Sequence, residues 1–148
     1  MEYEDILDDL APCGLSCRKC FANSGGHIAT LSTQLQERLG SFDVYAERSS
    51  AFLPAFEEYP SFKGLLAYLA QGQCEGCRRG TCLYRNCGVT TCYQDKGVDF
   101  CFQCDEFPCE RTNFDAHLER RWVGMNERMG EIGVEASYEE TRDQPRYR

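Results

Sequence analysis

The chain has 148 residues, a formal net charge of −8 at pH 7, 42% hydrophobic residues and eleven cysteines. This length fits a single domain, predicted to span residues 1–148, and no apolar run approaches the length of about eighteen residues expected of a membrane helix. The N-terminus is acidic where a secretory signal would be basic, so we expect a cytoplasmic protein, and the negative charge argues against membranes and nucleic acid as partners.

Two amphipathic helices are predicted in the cysteine-free part of the chain, residues 21–73. In the first, apolar residues recur at spacings of three and four, and Gly40 ends the pattern. These residues are Ile28, Leu31, Leu35 and Leu39. The second helix is predicted to begin at Ser61, a good N-cap residue, and to end at Gly72. Its apolar residues are Phe62, Leu65, Leu66 and Leu69. Folded back as a hairpin, the two helices would bring together the cysteines on either side of them.

The most sustained helical pattern follows the last cysteine and ends at Gly133. Its apolar residues are Phe114, Leu118, Trp122, Met125, Met129 and Ile132. Strand signals are weak, and residues 98–102 are the best candidate, for a small hairpin beside a metal site. Residues 137–148 are predicted to be a polar tail. The predicted fold class is therefore mainly α, a small helical scaffold with a loop-rich, cysteine-ligated metal-binding knot and little β structure.

The cysteines form two blocks, one near the N-terminus and one after the two helices. The first block is Cys13, Cys17 and Cys20; the second is Cys74, Cys77, Cys82, Cys87, Cys92, Cys101, Cys104 and Cys109. Cytosolic thiols stay reduced, and an odd number cannot pair completely, so we expect metal ligation rather than disulfides. Two CxxC turns, at 74–77 and 101–104, resemble the paired thiolates of zinc ribbons, although they need not hold the same ion.

The N-terminal block has the spacing CxxxCxxC and needs at least one further ligand. Cys87, Cys92 and Cys109 are candidates for that role. His27 is a better candidate than His117 for an additional ligand, although we expect neither to bind metal. Eight cysteines make two Zn(Cys)₄ sites, and eleven with one histidine make three, so the expected cofactor is two or three zinc ions.

In this order, the segments CGLSCRKC, CEGCR and CYQDKGVDFCFQCDEFPCER, followed by the tail, resemble an uncharacterised family of prokaryotic cysteine-rich proteins in which metal binding is suspected. The resemblance covers most of the chain and implies no particular reaction. It marks ten cysteines as metal-ligand positions and leaves Cys82 as an addition. The ten are Cys13, Cys17, Cys20, Cys74, Cys77, Cys87, Cys92, Cys101, Cys104 and Cys109.

The function predicted from these observations is a zinc-binding protein with chiefly structural Cys₄ sites and a role in binding a protein partner. The first alternative is an iron–sulfur protein or an open-site zinc enzyme or electron carrier, because clustered thiolates also bind iron–sulfur clusters. Thiol redox chemistry is disfavoured, since residues 74–77 follow a helix where a redox CxxC would follow a strand. A weaker alternative is a nucleic-acid-binding module that uses Arg78, Arg79, Tyr84 and Arg85.

Overall fold

The computed structural model describes residues 2–80 and 82–148 and is mainly helical, as predicted. The helices are α1 (Tyr3–Asp9), α2 (His27–Leu39), α3 (Asp43–Ser50), α4 (Tyr59–Gln71), α5 (Val89–Lys96), α6 (Ala116–Ile132) and α7 (Val134–Thr141). Short 3₁₀ turns lie at Pro54–Glu58, Cys77–Arg79, Cys101–Gln103 and Glu110–Thr112. Over the described ranges there is no sheet, and none of the helices is long and apolar enough to cross a membrane.

Helices α2 and α4 pack against each other, and α3 closes the connection between them, which confirms the predicted hairpin. At its base, the amide of Ser24 donates to the carbonyl of Cys74 (2.9 Å) and the amide of Cys74 donates to the carbonyl of Ala22 (2.8 Å). The chain therefore returns beside Cys20 when the second cysteine block begins. We refer to residues 27–72 as the helical lobe.

The start of α4 differs from the prediction. The helix begins at Tyr59, and Ser61 lies inside its first turn, where it does not act as the N-cap. Pro60 also occupies this turn, where the missing N–H is not needed and the fixed φ favours the helix. Proline therefore marks the beginning of this helix more accurately than serine does.

The predicted strand at residues 98–102 is also wrong, because this segment leads into the 3₁₀ turn at Cys101–Gln103. The Gln103 side chain accepts hydrogen bonds from the amides of Asp99 (2.8 Å) and Phe100 (2.9 Å). These local hydrogen bonds satisfy the two backbone amides, which would bond to a neighbouring strand if this segment were part of a sheet.

The apolar stripes of the helical lobe face solvent more than their periodicity suggests. Ala29 and Leu66 are buried, but Leu31 is 63% exposed and Leu65 is 60% exposed. Large apolar side chains are thus left on the outside of the lobe, although the helices themselves are correctly predicted.

Helix α6 carries the core of the rest of the domain. Asp115 caps it by accepting hydrogen bonds from the amides of His117 and Leu118, both at 2.9 Å. Met129 packs in a cluster with α1 and α7, and Trp122 packs in a second cluster with the cysteine-bearing loops. The rings of Phe107 and Phe114 meet Trp122 edge-on, with centroids 5.0 and 6.0 Å away. Such burial of aromatic surface favours a fixed position for the loops on the helix.

The fully buried side chain of Asn126 connects α6 to both cysteine-bearing loops. Its Nδ2 donates to the carbonyls of Cys13 and Trp122, both at 2.9 Å, and its Oδ1 accepts from the amide of Phe102 at 3.0 Å. These bonds satisfy backbone groups that have no access to water.

We expect Asn126→Ala to lower the free energy of unfolding by about 2–4 kcal/mol, because it leaves the buried carbonyl of Cys13 and amide of Phe102 unpaired. Urea denaturation followed by circular dichroism measures this change. The exposed neighbour Glu127 offers a control, since Glu127→Ala should alter stability by less than about 0.5 kcal/mol. Equal effects of the two substitutions would contradict the structural role of Asn126.

Candidate functional site

Seven cysteines line one cavity of about 310 Å³. They are Cys13, Cys17, Cys20, Cys74, Cys77, Cys82 and Cys87. The first cysteine block thus meets the beginning of the second, as the hairpin between them predicts. Arg146 and Tyr147 from the C-terminal segment complete the wall. We call this the large thiol cavity.

The other four cysteines line a cavity of about 30 Å³, the small thiol cavity. They are Cys92, Cys101, Cys104 and Cys109. The two CxxC turns therefore belong to different cavities, and Cys109 lies with its sequence neighbours and not with the N-terminal block. All eleven cysteines fall within the described residues, and every one is a free thiol.

Backbone amides point at several sulfurs of the large thiol cavity. Four thiols accept a hydrogen bond from the amide two residues further along the chain: Cys13 from Leu15, Cys74 from Gly76, Cys82 from Tyr84 and Cys87 from Val89. An amide N–H stabilises a thiolate more than a thiol, so each of these bonds lowers the pKa of its cysteine. Gly76 adopts φ +111°, a conformation that favours glycine, which explains the glycine in this CxxC turn.

Cys77 lies between the thiols of Cys17 and Cys82, and both affect its pKa. Its amide also donates to the Cys17 sulfur at 3.4 Å. The side chain of Cys77 lowers the pKa of Cys17 to about 7 and the pKa of Cys82 to about 6, and the pKa of Cys77 itself is raised. The positive charge of Arg146 contributes to the lower pKa of both neighbours.

Cys82 was not among the ten predicted ligand positions, yet it is part of this contacting group. It lies five residues from the nearest cysteine on either side and forms no short motif, so spacing alone does not reveal its role. Only the fold brings Cys82 and Cys77 to the same cavity.

Burial acts in the opposite direction on two other thiols. It raises the pKa of Cys13 to about 12 and that of Cys101 to about 11. The indole N–H of Trp122 interacts with the Cys101 sulfur and partly offsets this increase. Trp122 Nε1 is buried and has no hydrogen-bond partner of normal geometry in the described part of the chain. A thiolate at Cys101 would satisfy this donor better than the neutral thiol does.

The donor chemistry of both cavities fits a thiolate-bound metal, because sulfurs cluster with N–H donors directed at them. The positions of the sulfur atoms fit a metal site less well. Within residues 2–80 and 82–148, no group of three or more His, Cys, Asp or Glu side chains is arranged so that it could hold a metal ion. Ligation would therefore require the cysteine side chains to rotate toward a common point.

The C-terminal segment after α7 lies over the large thiol cavity. The hydroxyl of Tyr147 donates toward the Cys20 sulfur at 3.8 Å and accepts from the amide of Phe21 at 2.9 Å. Arg146 donates to the carbonyl of Ser16, and Lys19 donates to the carbonyls of Thr141 and Gln144 at 2.8 and 2.9 Å. The predicted polar tail thus has a defined position, since it begins within α7 and ends against the thiols.

Other residues singled out by the sequence have contacts of a different kind. His27 Nε2 accepts from Arg18 Nε at 3.2 Å, and His117 is exposed on α6. Arg78 donates to the carbonyls of Leu10 (2.9 Å) and Asp99 (2.7 Å), and its guanidinium lies over the ring of Phe100. Arg78 therefore fixes the loops around it instead of pointing to a ligand.

The chain belongs to a family described as Protein of unknown function (DUF3795), whose model matches residues 9–114. This span contains all eleven cysteines and ends just before α6. No curated protein and no solved structure matches the chain.

If Arg146 and Tyr147 cover the thiols, the double substitution Arg146→Ala, Tyr147→Ala should increase the rate at which Cys20 reacts with a maleimide in metal-free protein. The hydroxyl contact and the aromatic cover are both lost, so reagent reaches the sulfur more easily. Mass spectrometry of peptides after short labelling times measures the rate. Arg142→Ala, an exposed change just after α7, is the control and should leave the rate unchanged. Equal labelling of Cys20 in all three proteins would contradict the covering role.

Proposed function

We propose that the protein is a cytoplasmic zinc-binding protein whose thiolate-bound ions are chiefly structural and whose ordered surface binds a protein partner. The observation that carries this proposal is the gathering of all eleven free thiols around two cavities, with amide N–H groups directed at four of the sulfurs. Amide and indole donors are the usual outer partners of metal thiolates, where they disperse the negative charge.

The number of thiols in each cavity suggests how many ions would bind. Cys92, Cys101, Cys104 and Cys109 provide the four ligands of one tetrahedral zinc. The large cavity has seven thiols, the number required by two tetrahedral ions that share one thiolate. Cys77 is the best candidate for a shared ligand because it contacts thiols on both sides. We therefore propose three zinc ions per chain, which would make Cys82 a ligand.

Metal binding would also complete the fold. Zinc ligation releases the thiol protons and fixes side chains that otherwise rotate, so the binding free energy becomes folding free energy. An ion with four thiolates has no open coordination position, which favours a structural role over catalysis. Arg146 beside the large cavity would offset part of the negative charge, whereas Lys96 and Arg111 beside the small one already pair with Glu106.

The partner-binding role is supported by the helical lobe. Its surface includes Leu31, Leu65 and Phe52, which are 63%, 60% and 71% exposed. A group of exposed large apolar side chains on one small lobe is typical of a protein-binding surface.

An iron–sulfur cluster in the large thiol cavity is a second candidate. The volume of about 310 Å³, against about 30 Å³ for the small cavity, favours a centre larger than one ion. Four of the seven thiols would suffice for a [4Fe–4S] cluster, and the protein would then be an electron carrier or an open-site enzyme.

The metal content of protein purified without oxygen distinguishes the two candidates. We expect a colourless protein with about three zinc ions per chain, because thiolate sites filled by zinc have no visible absorption. Elemental analysis and the visible spectrum provide the test. Brown protein with absorption at about 400 nm, iron and acid-labile sulfide would refute the zinc proposal for the large cavity and support the iron–sulfur cluster.

The double substitution Cys101→Ser, Cys104→Ser should reduce the zinc retained after dialysis against a weak chelator from about three ions to about two. Two of the four thiolates of the small cavity are lost, while the large cavity keeps its ligands. His27→Ala is the control and should keep all of the zinc, since this imidazole accepts from Arg18 and is not a proposed ligand. Undiminished zinc in the cysteine variant, or loss in the histidine variant, would refute this assignment.

A further inference from the structure

A second type of site lies in the C-terminal region, in a groove of about 440 Å³ formed by α6, α7, Gln144 and Arg148. Its basic lining residues are His117, Arg120, Arg121, Arg128 and Arg148. This concentration of positive charge stands out in a chain whose formal net charge is −8. All of these residues follow position 114, where the family match ends. We call this feature the arginine groove.

Contacts within the protein neutralise only part of this positive charge. Glu140, the acidic side chain among the described lining residues, is held by the guanidinium of Arg128, whose Nε donates to Glu140 Oε2 at 3.0 Å. Arg121 donates to the carbonyl of Arg146 at 2.7 Å, a neutral partner. In the described part of the chain, Arg120 and Arg148 take part in no ion pair within 4.0 Å.

Arg121 lies near two other guanidinium groups. Burial lowers the pKa of Arg121, and the charges of Arg146 and Arg148 lower it further. An anion in the groove would offset this positive charge, and guanidinium N–H groups match phosphate or carboxylate oxygens.

The floor of the arginine groove provides space for a ligand. Gly124 lies in the middle of α6, and a Cβ added there would meet no heavy atom within 4 Å. Glycine inside a helix costs roughly 0.5–1 kcal/mol relative to alanine, and here it leaves the helix surface open to a ligand. Next to it, Met125 offers a flexible apolar contact.

We propose that the arginine groove binds a small organic anion with two or more phosphate or carboxylate groups. The volume of the arginine groove lies in the range of small-molecule sites, and its positive charge favours a ligand with several negative charges. The acidic remainder of the protein would repel a long nucleic acid, whereas a small ligand needs to contact only the groove. This inference does not depend on the metal proposal, because none of the lining residues is a thiol ligand.

The test is isothermal titration of the full chain as purified, with inorganic triphosphate and, separately, with citrate at constant ionic strength. We expect one site per chain for at least one of the two probes. Triphosphate alone would indicate a phosphorylated ligand, and citrate alone would indicate a carboxylate. Binding of neither probe would overturn the proposal, as would tighter binding of an oligonucleotide through the same arginines.

The double substitution Arg120→Gln, Arg148→Gln should weaken probe binding at least about tenfold, because two charge-assisted contacts are lost. The matched control Arg38→Gln, Arg142→Gln removes the same charge at exposed positions outside the groove, on α2 and just after α7, and should change the affinity less than about twofold. Equal weakening by both double variants would show nonspecific attraction and overturn the site.

Gly124→Leu provides an independent variant that keeps every charge. The new side chain extends into open space, so the free protein should fold and retain its zinc, while the ligand loses its place on the floor. Gly124→Ala adds only a methyl group and should preserve most of the binding. Unchanged affinity in Gly124→Leu, with circular dichroism and zinc content like those of the parent, would refute the proposed position.

Discussion

The side chain of Asn126 lies where α6 meets both loops that carry cysteines. It donates to the carbonyl of Cys13 and accepts from the amide of Phe102, so one helix sets the positions of two distant segments. These bonds form away from water, and no solvent can replace a lost partner. Cys13 lines the large thiol cavity, and Cys101, next to Phe102, lines the small one. A single buried amide thus relates the two cavities to each other.

The parts of the fold that follow from local physics could be predicted from the sequence. Helices α2, α4 and α6 have long apolar repeats and glycine at or just past their ends, and the structure confirms them. Helices α1, α5 and α7 have seven or eight residues each, too few for a clear repeat, and their stability comes from tertiary packing. Periodicity also does not reveal how deeply a stripe is buried, since Leu31 and Leu65 remain exposed because the lobe packs mainly on itself.

The candidate site shows the same division between local and long-range information. A CxxC turn is encoded within four residues, so both turns were recognisable. The partition of thiols between cavities depends on which loops meet, and this is decided by contacts such as the bonds between Ser24, Ala22 and Cys74. Only the fold therefore shows that Cys82 lies in the large thiol cavity and Cys109 in the small one. Nothing in the sequence predicts the arginine groove, because Arg120 and Arg148 are distant in sequence and line the same groove only in the folded chain.

Charge links the thiol cavities to the arginine groove. In the proposed zinc-bound state the Zn(Cys)₄ unit would add about two negative charges to an acidic chain and the two-zinc, seven-thiolate unit about three, and only cations within roughly 10 Å offset them at physiological salt. Arg146 is such a cation, since it lowers the pKa of both Cys17 and Cys82. Arg121 in turn binds the carbonyl of Arg146 and lines the groove. The arginine that compensates the thiolates is therefore bonded to an arginine of the groove. A change in thiol charge would alter the electrostatic potential at an anion bound in the groove.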